Sequence, residues 1–110
     1  MLPKRLRLRR SADFVPILKH GYKVGTPSLV LYALASQQSR FGLIVGRKAG
    51  GAVVRNQVKR RLRHLAAELI DEIHPMDVVV RTLPAVSIQS RDLSRDLTAA
   101  WHKASKVVLP

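Results

Sequence analysis

The residue types that carry out chemistry in enzymes are sparse in this chain and poorly spaced for it. His20, His64, His74 and His102 are scattered, and none forms the HxxxH interval that puts two imidazoles on one helix face for a metal. Cysteine is absent, which removes thiolate nucleophiles, disulfides and zinc–thiolate sites. The seven acids (Asp13, Glu68, Asp71, Glu72, Asp77, Asp92 and Asp96) form no obvious pair with a histidine for general acid–base work. The glycines of GRKAGGAVVRN (46–56) lack the G-x-x-x-x-G-K-[ST] order of a nucleotide-binding loop, although a helix start there could still favour an anion. No catalytic residue and no protein-held metal are expected.

What the chain has in quantity is positive charge. Twenty Lys and Arg oppose seven Asp and Glu, a formal net charge of +13 in 110 residues. The signs are also segregated. Between Asp13 and Glu68 there is no acid, while ten Lys and Arg fall in that interval. A solvated surface normally mixes the two signs. An acid-free half points to a polyanionic partner, with nucleic acid ahead of membrane lipid. The densest cluster is Arg47, Lys48, Arg55, Lys59, Arg60, Arg61 and Arg63, with Asn56 among them. Arginine's planar fork matches phosphate oxygens two at a time, and an amide adds neutral hydrogen bonds.

These cations need a scaffold, and the apolar pattern supplies one. Val54, Val58, Leu62, Leu65, Leu69 and Ile73 recur at intervals of three or four, one apolar stripe of a long helix. Arg55, Lys59 and Arg63 form the adjacent i, i+4 row, while the acids collect at the far end. That order opposes the helix dipole, which favours anions at the N-terminus. A helix written only for its own stability would have the reverse arrangement. Upstream, SADFVPILKHG reads as a short helix capped by Ser11 or Asp13 and stopped by Gly21. SLVLYAL (28–34) and FGLIV (41–45) read as strands forming a hairpin, preceded by an edge strand near Tyr22–Gly25. DVVVRTL (77–83) is a further strand, completing a βαβ unit with 41–45 and the basic helix. A last helix carries Leu93, Leu97, Ala100, Trp101 and Ala104 on one side, with Ser90 as its cap. The arm MLPKRLRLRR is expected to be mobile unless a partner orders it.

The sum is one domain over 1–110 of the α+β class, ordered α-β-β-β-α-β-α, a two-layer sandwich with helices over one face of a mostly antiparallel sheet. No apolar run approaches the ~20 residues of a membrane span, and no secretory h-region follows the basic start, so a cytoplasmic protein is expected. Trp101 is expected in the core. Phe14 and Tyr32 border the acid-free region, where aromatics beside arginines can pack inward or stack on unpaired bases.

In these residues the chain resembles the protein subunit of bacterial ribonuclease P. The family's RNR signature, of the form R-N-R-x-K-R-x-x-R, stands here as RNQVKRRLR, residues 55–63. FGLIVGRKAGGAVV is similar to the family's strand and lysine-bearing loop before that helix, DFVPILKHG to its first helix, and MDVVVRTLP to its last strand. The resemblance implies a subunit of a tRNA-processing endoribonuclease whose RNA, using Mg²⁺, removes the 5′ leader of pre-tRNA, while the protein alone is inactive. It implies that Arg55, Asn56, Lys59, Arg60 and Arg63 face the catalytic RNA with Lys48 nearby, and Arg47 and Arg61 extend that basic set. It implies a leader cleft lined by Phe14, Leu18 and Tyr32, and a left-handed βαβ crossover, against the usual hand. The expected partners are the catalytic RNA and pre-tRNA, with no membrane and no small-molecule cofactor. Two positions depart from the pattern: Gln57 replaces the usual third signature Arg, and Leu18 stands where an aromatic is common. The competing reading is a structural RNA-binding protein such as a small ribosomal protein.

Overall fold

The computed structural model describes residues 2–46, 50–83 and 91–109, with the side chains of 91 and 92 left aside. The elements run α1 (Ser11–His20), β1 (Tyr22–Gly25), β2 (Leu29–Ala35), β3 (Arg40–Ile44), α2 (Ala52–Glu72), β4 (Met76–Thr82) and α3 (Arg91–Ser105), after a short 3₁₀ turn at Lys4–Leu6. The α+β class and the element order are those the sequence predicts. The four strands lie in the order β1-β2-β4-β3. β2 is antiparallel to β1 and β4, and β3 runs parallel to β4.

The expected β2–β3 hairpin does not form, because β4 lies between the two strands. The reason is in β4 itself. Met76–Val80 are buried at every position, and a strand covered on both faces belongs in the middle of the sheet. The hairpin is instead β1–β2, with Thr26 closing its turn through Oγ1 and N–H contacts to Leu29.

One sheet face carries Leu29, Leu31, Ala33, Phe41, Met76, Val78 and Val80 against α2 and α3. The α3 stripe is buried as expected, and Trp101 stacks on Phe41 with ring centroids 5.7 Å apart. Asp96, also buried, accepts from the N–H and hydroxyl of Ser28 and so ties α3 to the β1–β2 turn. The expected cap Ser90 lies outside the described residues. The other face is not bare. α1 lies across it, joining Ile17 and Phe14 to Val30, Tyr32, Leu34 and Val79.

Two local expectations are corrected. α1 is capped by Arg10 without a side-chain hydrogen bond, so neither Ser11 nor Asp13 is the cap, and Pro16 falls inside the helix. Its missing N–H leaves Ala12 without an intrahelical donor, on a side where both residues are exposed and water can serve. The basic arm is also built into the fold rather than mobile. Leu2 and Leu8 are buried, Arg7 bridges to Phe41 at the outer edge of β3, and the Leu8 N–H donates to the Phe41 carbonyl at 2.8 Å. Burying two leucines stabilises by about 1.5–3 kcal/mol each, enough to hold a short segment that its charge alone would leave in solvent.

Candidate RNA-binding surfaces

α2 begins after Gly51, and the preceding Gly50 has φ 139°, a backbone conformation that side chains resist. The helix buries Val58, Leu62, Ala66 and Leu69. Compared with the expected stripe, the buried line includes Ala66 and leaves Leu65 half-exposed, a rotation of roughly 25° toward Arg55 at 100° per residue. That small rotation separates the cations into two kinds.

Arg60 and Arg61 are exposed with Asn56 and Gln57, whereas Arg55, Lys59 and Arg63 are half-buried along the side facing β3 and the arm. Arg55 Nε is sealed from solvent and makes no hydrogen bond among the described residues. Arg63 is held below its ordinary pKa, first by burial and then by repulsion from Arg7 of the arm. Arg7 in turn anchors itself by donating from Nε to the Leu2 carbonyl at 3.0 Å. Among the described residues no acid pairs with this row of cations, and Arg7 extends the row from a segment with no helical periodicity to mark it.

Two grooves of about 420 and 560 Å³ flank Arg60. One is lined by Gln57, Arg61, His64, Leu65 and Glu68, the other by Asn56, Arg63 and His64. The expected residues Arg55, Asn56, Lys59, Arg60, Arg61 and Arg63 therefore share one helix, with Arg61 across Arg60 from the Arg63 groove. Arg47 and Lys48 lie outside the described residues.

The second surface is the α1 side of the sheet. Here Phe14 is half-buried, with its ring over Gly42 so closely that a Cβ there would lie 2.7 Å from Cζ. Leu18, one turn along α1, is 37% exposed, and Tyr32 only 9%. Phe14, Leu18 and Tyr32 do fall on this one side, but the Tyr32 ring is mostly covered, and Lys23 Nζ stands 6.0 Å from its centroid. That spacing is within reach of a cation–π attraction. Lys23 sits alone in a short edge strand, so only the fold shows that it stands beside this ring. At the same face Arg40 donates twice to Asp77, at 3.0 and 2.8 Å. That hydrogen bond raises the Arg40 pKa despite burial, with a smaller contribution from Asp77 and Asp13 charge.

Of the histidines, His20, His64 and His102 are exposed, and His74 Nε2 lies 2.6 Å from the Val108 carbonyl, joining the end of α2 to the C-terminal tail. Among the described residues, no group of three or more His, Asp or Glu is placed to hold a metal. No helix there is long and apolar enough to cross a membrane.

A family model described as Ribonuclease P matches residues 2–105. The chain belongs to the ribonuclease P protein family. The ribonuclease P protein component of Rhodococcus erythropolis is 38% identical, covering 98% of this chain and 95% of that protein. The component from Acidothermus cellulolyticus is 45% identical over 82% and 79% of the two chains. Among solved structures, the RNase P protein of Staphylococcus aureus superposes with a TM-score of 0.77 at 25% identity, covering 91% of this chain and 97% of that one. The RNase P protein of Thermotoga maritima, in complex with 1-(4-fluorophenyl)-2-thiourea, gives 0.65 at 28% identity with 92% of each chain covered.

Proposed function

We propose that this chain is the protein subunit of a ribonuclease P holoenzyme and works by holding RNA on two surfaces while the RNA partner performs the cleavage. The observation that carries this reading is the uncompensated cation row of α2. A buried donor without a partner costs about 1–3 kcal/mol, and Arg55 Nε and the crowded Arg63 both improve when a phosphate arrives. Arg55, Asn56, Lys59, Arg60 and Arg63 meet the catalytic RNA in this proposal, with Arg61 on the far side of Arg60 standing in for the charge that Gln57 lacks. Arg47 and Lys48 are assigned to the same partner from their place in the sequence.

The α1 side of the sheet receives the single-stranded 5′ leader of pre-tRNA. Phe14 offers the accessible part of its ring for a base to stack on, Leu18 offers an apolar contact, and Tyr32 offers the edge that its packing leaves open beside Lys23. Magnesium is the ion this family implies. The described residues do not fit a resident ion, so magnesium chemistry is assigned to the RNA and no step passes through the protein. The cytoplasm is the compartment in this reading.

Reconstitution with the cognate catalytic RNA tests it. The protein alone leaves pre-tRNA intact, and adding it lowers the magnesium requirement and raises the preference for pre-tRNA over mature tRNA. Unchanged cleavage, together with co-sedimentation on ribosomal subunits, would favour a structural ribosomal role instead.

A further inference from the structure

β4 is buried at five consecutive positions and then breaks its pattern at Arg81, which is exposed although it stands in a central strand with neighbours on both sides. Val30 of β2 and Ile44 of β3 are its register partners. An apolar side chain would suit that setting better, so the fold does not explain the arginine. It makes no hydrogen bond or ion pair among the described residues.

The alternation of side chains places Arg81 on the α1 side, with Val79 and Asp77. Tyr32 pairs with Val79, so Arg81 and Tyr32 are diagonal neighbours, with Cα atoms about 7–8 Å apart in an antiparallel pair. Lys23 lies over the far side of Tyr32, on β1. Two strand spacings and one two-residue step put Lys23 and Arg81 about 12 Å apart at Cα, a gap their long side chains can narrow from either side of the ring. No acid occurs in β1, β2 or β3, and the one in β4, Asp77, is already held by Arg40. Among the described residues neither cation at this end of the sheet has an ion-pair partner, and an aromatic ring lies between the two.

We propose that Arg81 is a positioning residue for the 5′ leader, binding a backbone phosphate beside the nucleotide that lies over Tyr32, with Lys23 taking the phosphate on the other side. This deepens the proposed leader cleft and rests on it. Arginine and lysine contacts to phosphate carry no base information, so the pair sets where the leader lies and not which sequence it has.

The experiment compares holoenzymes carrying wild-type protein, Arg81→Gln or Arg81→Lys. Each is measured for affinity toward pre-tRNA with a long single-stranded leader and toward the same pre-tRNA with its leader cut to a stub. Arg81→Gln should weaken binding of the long-leader substrate about tenfold, as for a lost charge-assisted hydrogen bond. It should lower the log–log salt slope of that binding by about 0.7, leave the stub substrate unchanged, and be largely rescued by Arg81→Lys. Affinity of the protein for the catalytic RNA should not move, which separates Arg81 from the α2 row. If wild-type holoenzyme gains from the long leader and Arg81→Gln gains as much, the assignment of Arg81 is overturned while the cleft stands. If wild type itself shows no gain from the long leader, the cleft reading fails and Arg81 with it. Equal losses on both substrates would assign Arg81 to another part of the RNA and also overturn the proposal.

Discussion

Gly42 offers a sharp test of how α1 is seated on the sheet. A Cβ at this position would lie 2.7 and 2.8 Å from Cζ and Cε1 of Phe14 and 3.0 Å from Cβ of Leu8. Carbon atoms prefer about 3.5–4.0 Å, so Gly42→Ala requires the Phe14 ring to retreat by roughly 1 Å. Overpacking costs typically about 1–3 kcal/mol. Phe14 is half-exposed and can pivot, whereas Leu8 is buried, which places the expected loss at about 1–2 kcal/mol. For a domain of this size that is a fall of roughly 4–16 °C in Tm, at about 4–8 °C per kcal/mol. Thermal unfolding of Gly42→Ala, Phe14→Ala and the double variant forms a closed cycle. Without the ring only the Leu8 contact remains, and replacing a strand glycine regains about 0.5–1 kcal/mol of backbone entropy. Gly42→Ala should then be close to neutral in the Phe14→Ala background. Strictly additive losses would show that Phe14 does not occupy the space over Gly42, and the geometry of the α1 cleft would have to be redrawn.

Leu62 and Arg60 differ by two residues and should fail differently: Leu62→Ala should cost about 2–5 kcal/mol in chemical denaturation as a core truncation, while Arg60→Ala should keep its Tm and lose affinity for the catalytic RNA. Titrating binding against salt should give a log–log slope near −4 to −5 if about six phosphates are neutralised. Arg63 is a base whose pKa is lowered on folding, so its charged form is disfavoured in the fold at every pH below that lowered value, neutral pH included. Arg63→Gln should therefore melt no lower than wild type near pH 7 yet bind RNA more weakly; a clear drop in Tm would contradict the account of its crowding with Arg7. Leu8→Ala should destabilise by about 2–5 kcal/mol, and a melting curve unchanged by it would return the basic arm to solvent.

The sequence made α2, α3 and the order of elements legible because each is encoded locally, by an apolar repeat that matches the element's own period. Strand partnership is not local. SLVLYAL and FGLIV look like a hairpin because they are adjacent, and nothing within them states that residues 76–82 will lie between. Ala66 escaped because a methyl group barely registers as apolar, and its omission turned the inferred helix face enough to hide the half-burial of Arg55. The arm escaped because three leucines among five cations read as solvent-exposed chain, although Leu2 and Leu8, six residues apart, suffice once each finds a pocket. Within the candidate site, charge density announced the α2 row, whereas Lys23 and Arg81 gain their meaning only from the register that brings both beside Tyr32.

Because β4 is inserted between strands that precede it, the protein cannot assemble in the order in which it is made. While residues 40–72 emerge from synthesis, β3 has no β4 to pair with and α2 has no completed sheet for its apolar side, though its cations are already present. Only β4 joins the two halves of the sheet, and only α3, bringing Trp101 onto Phe41, finishes the interior. The fold therefore closes from its C-terminal end. A chain stopped before α3 displays a basic, half-supported helix without the platform that orients it, so an orderly RNA-binding surface exists only on a finished molecule.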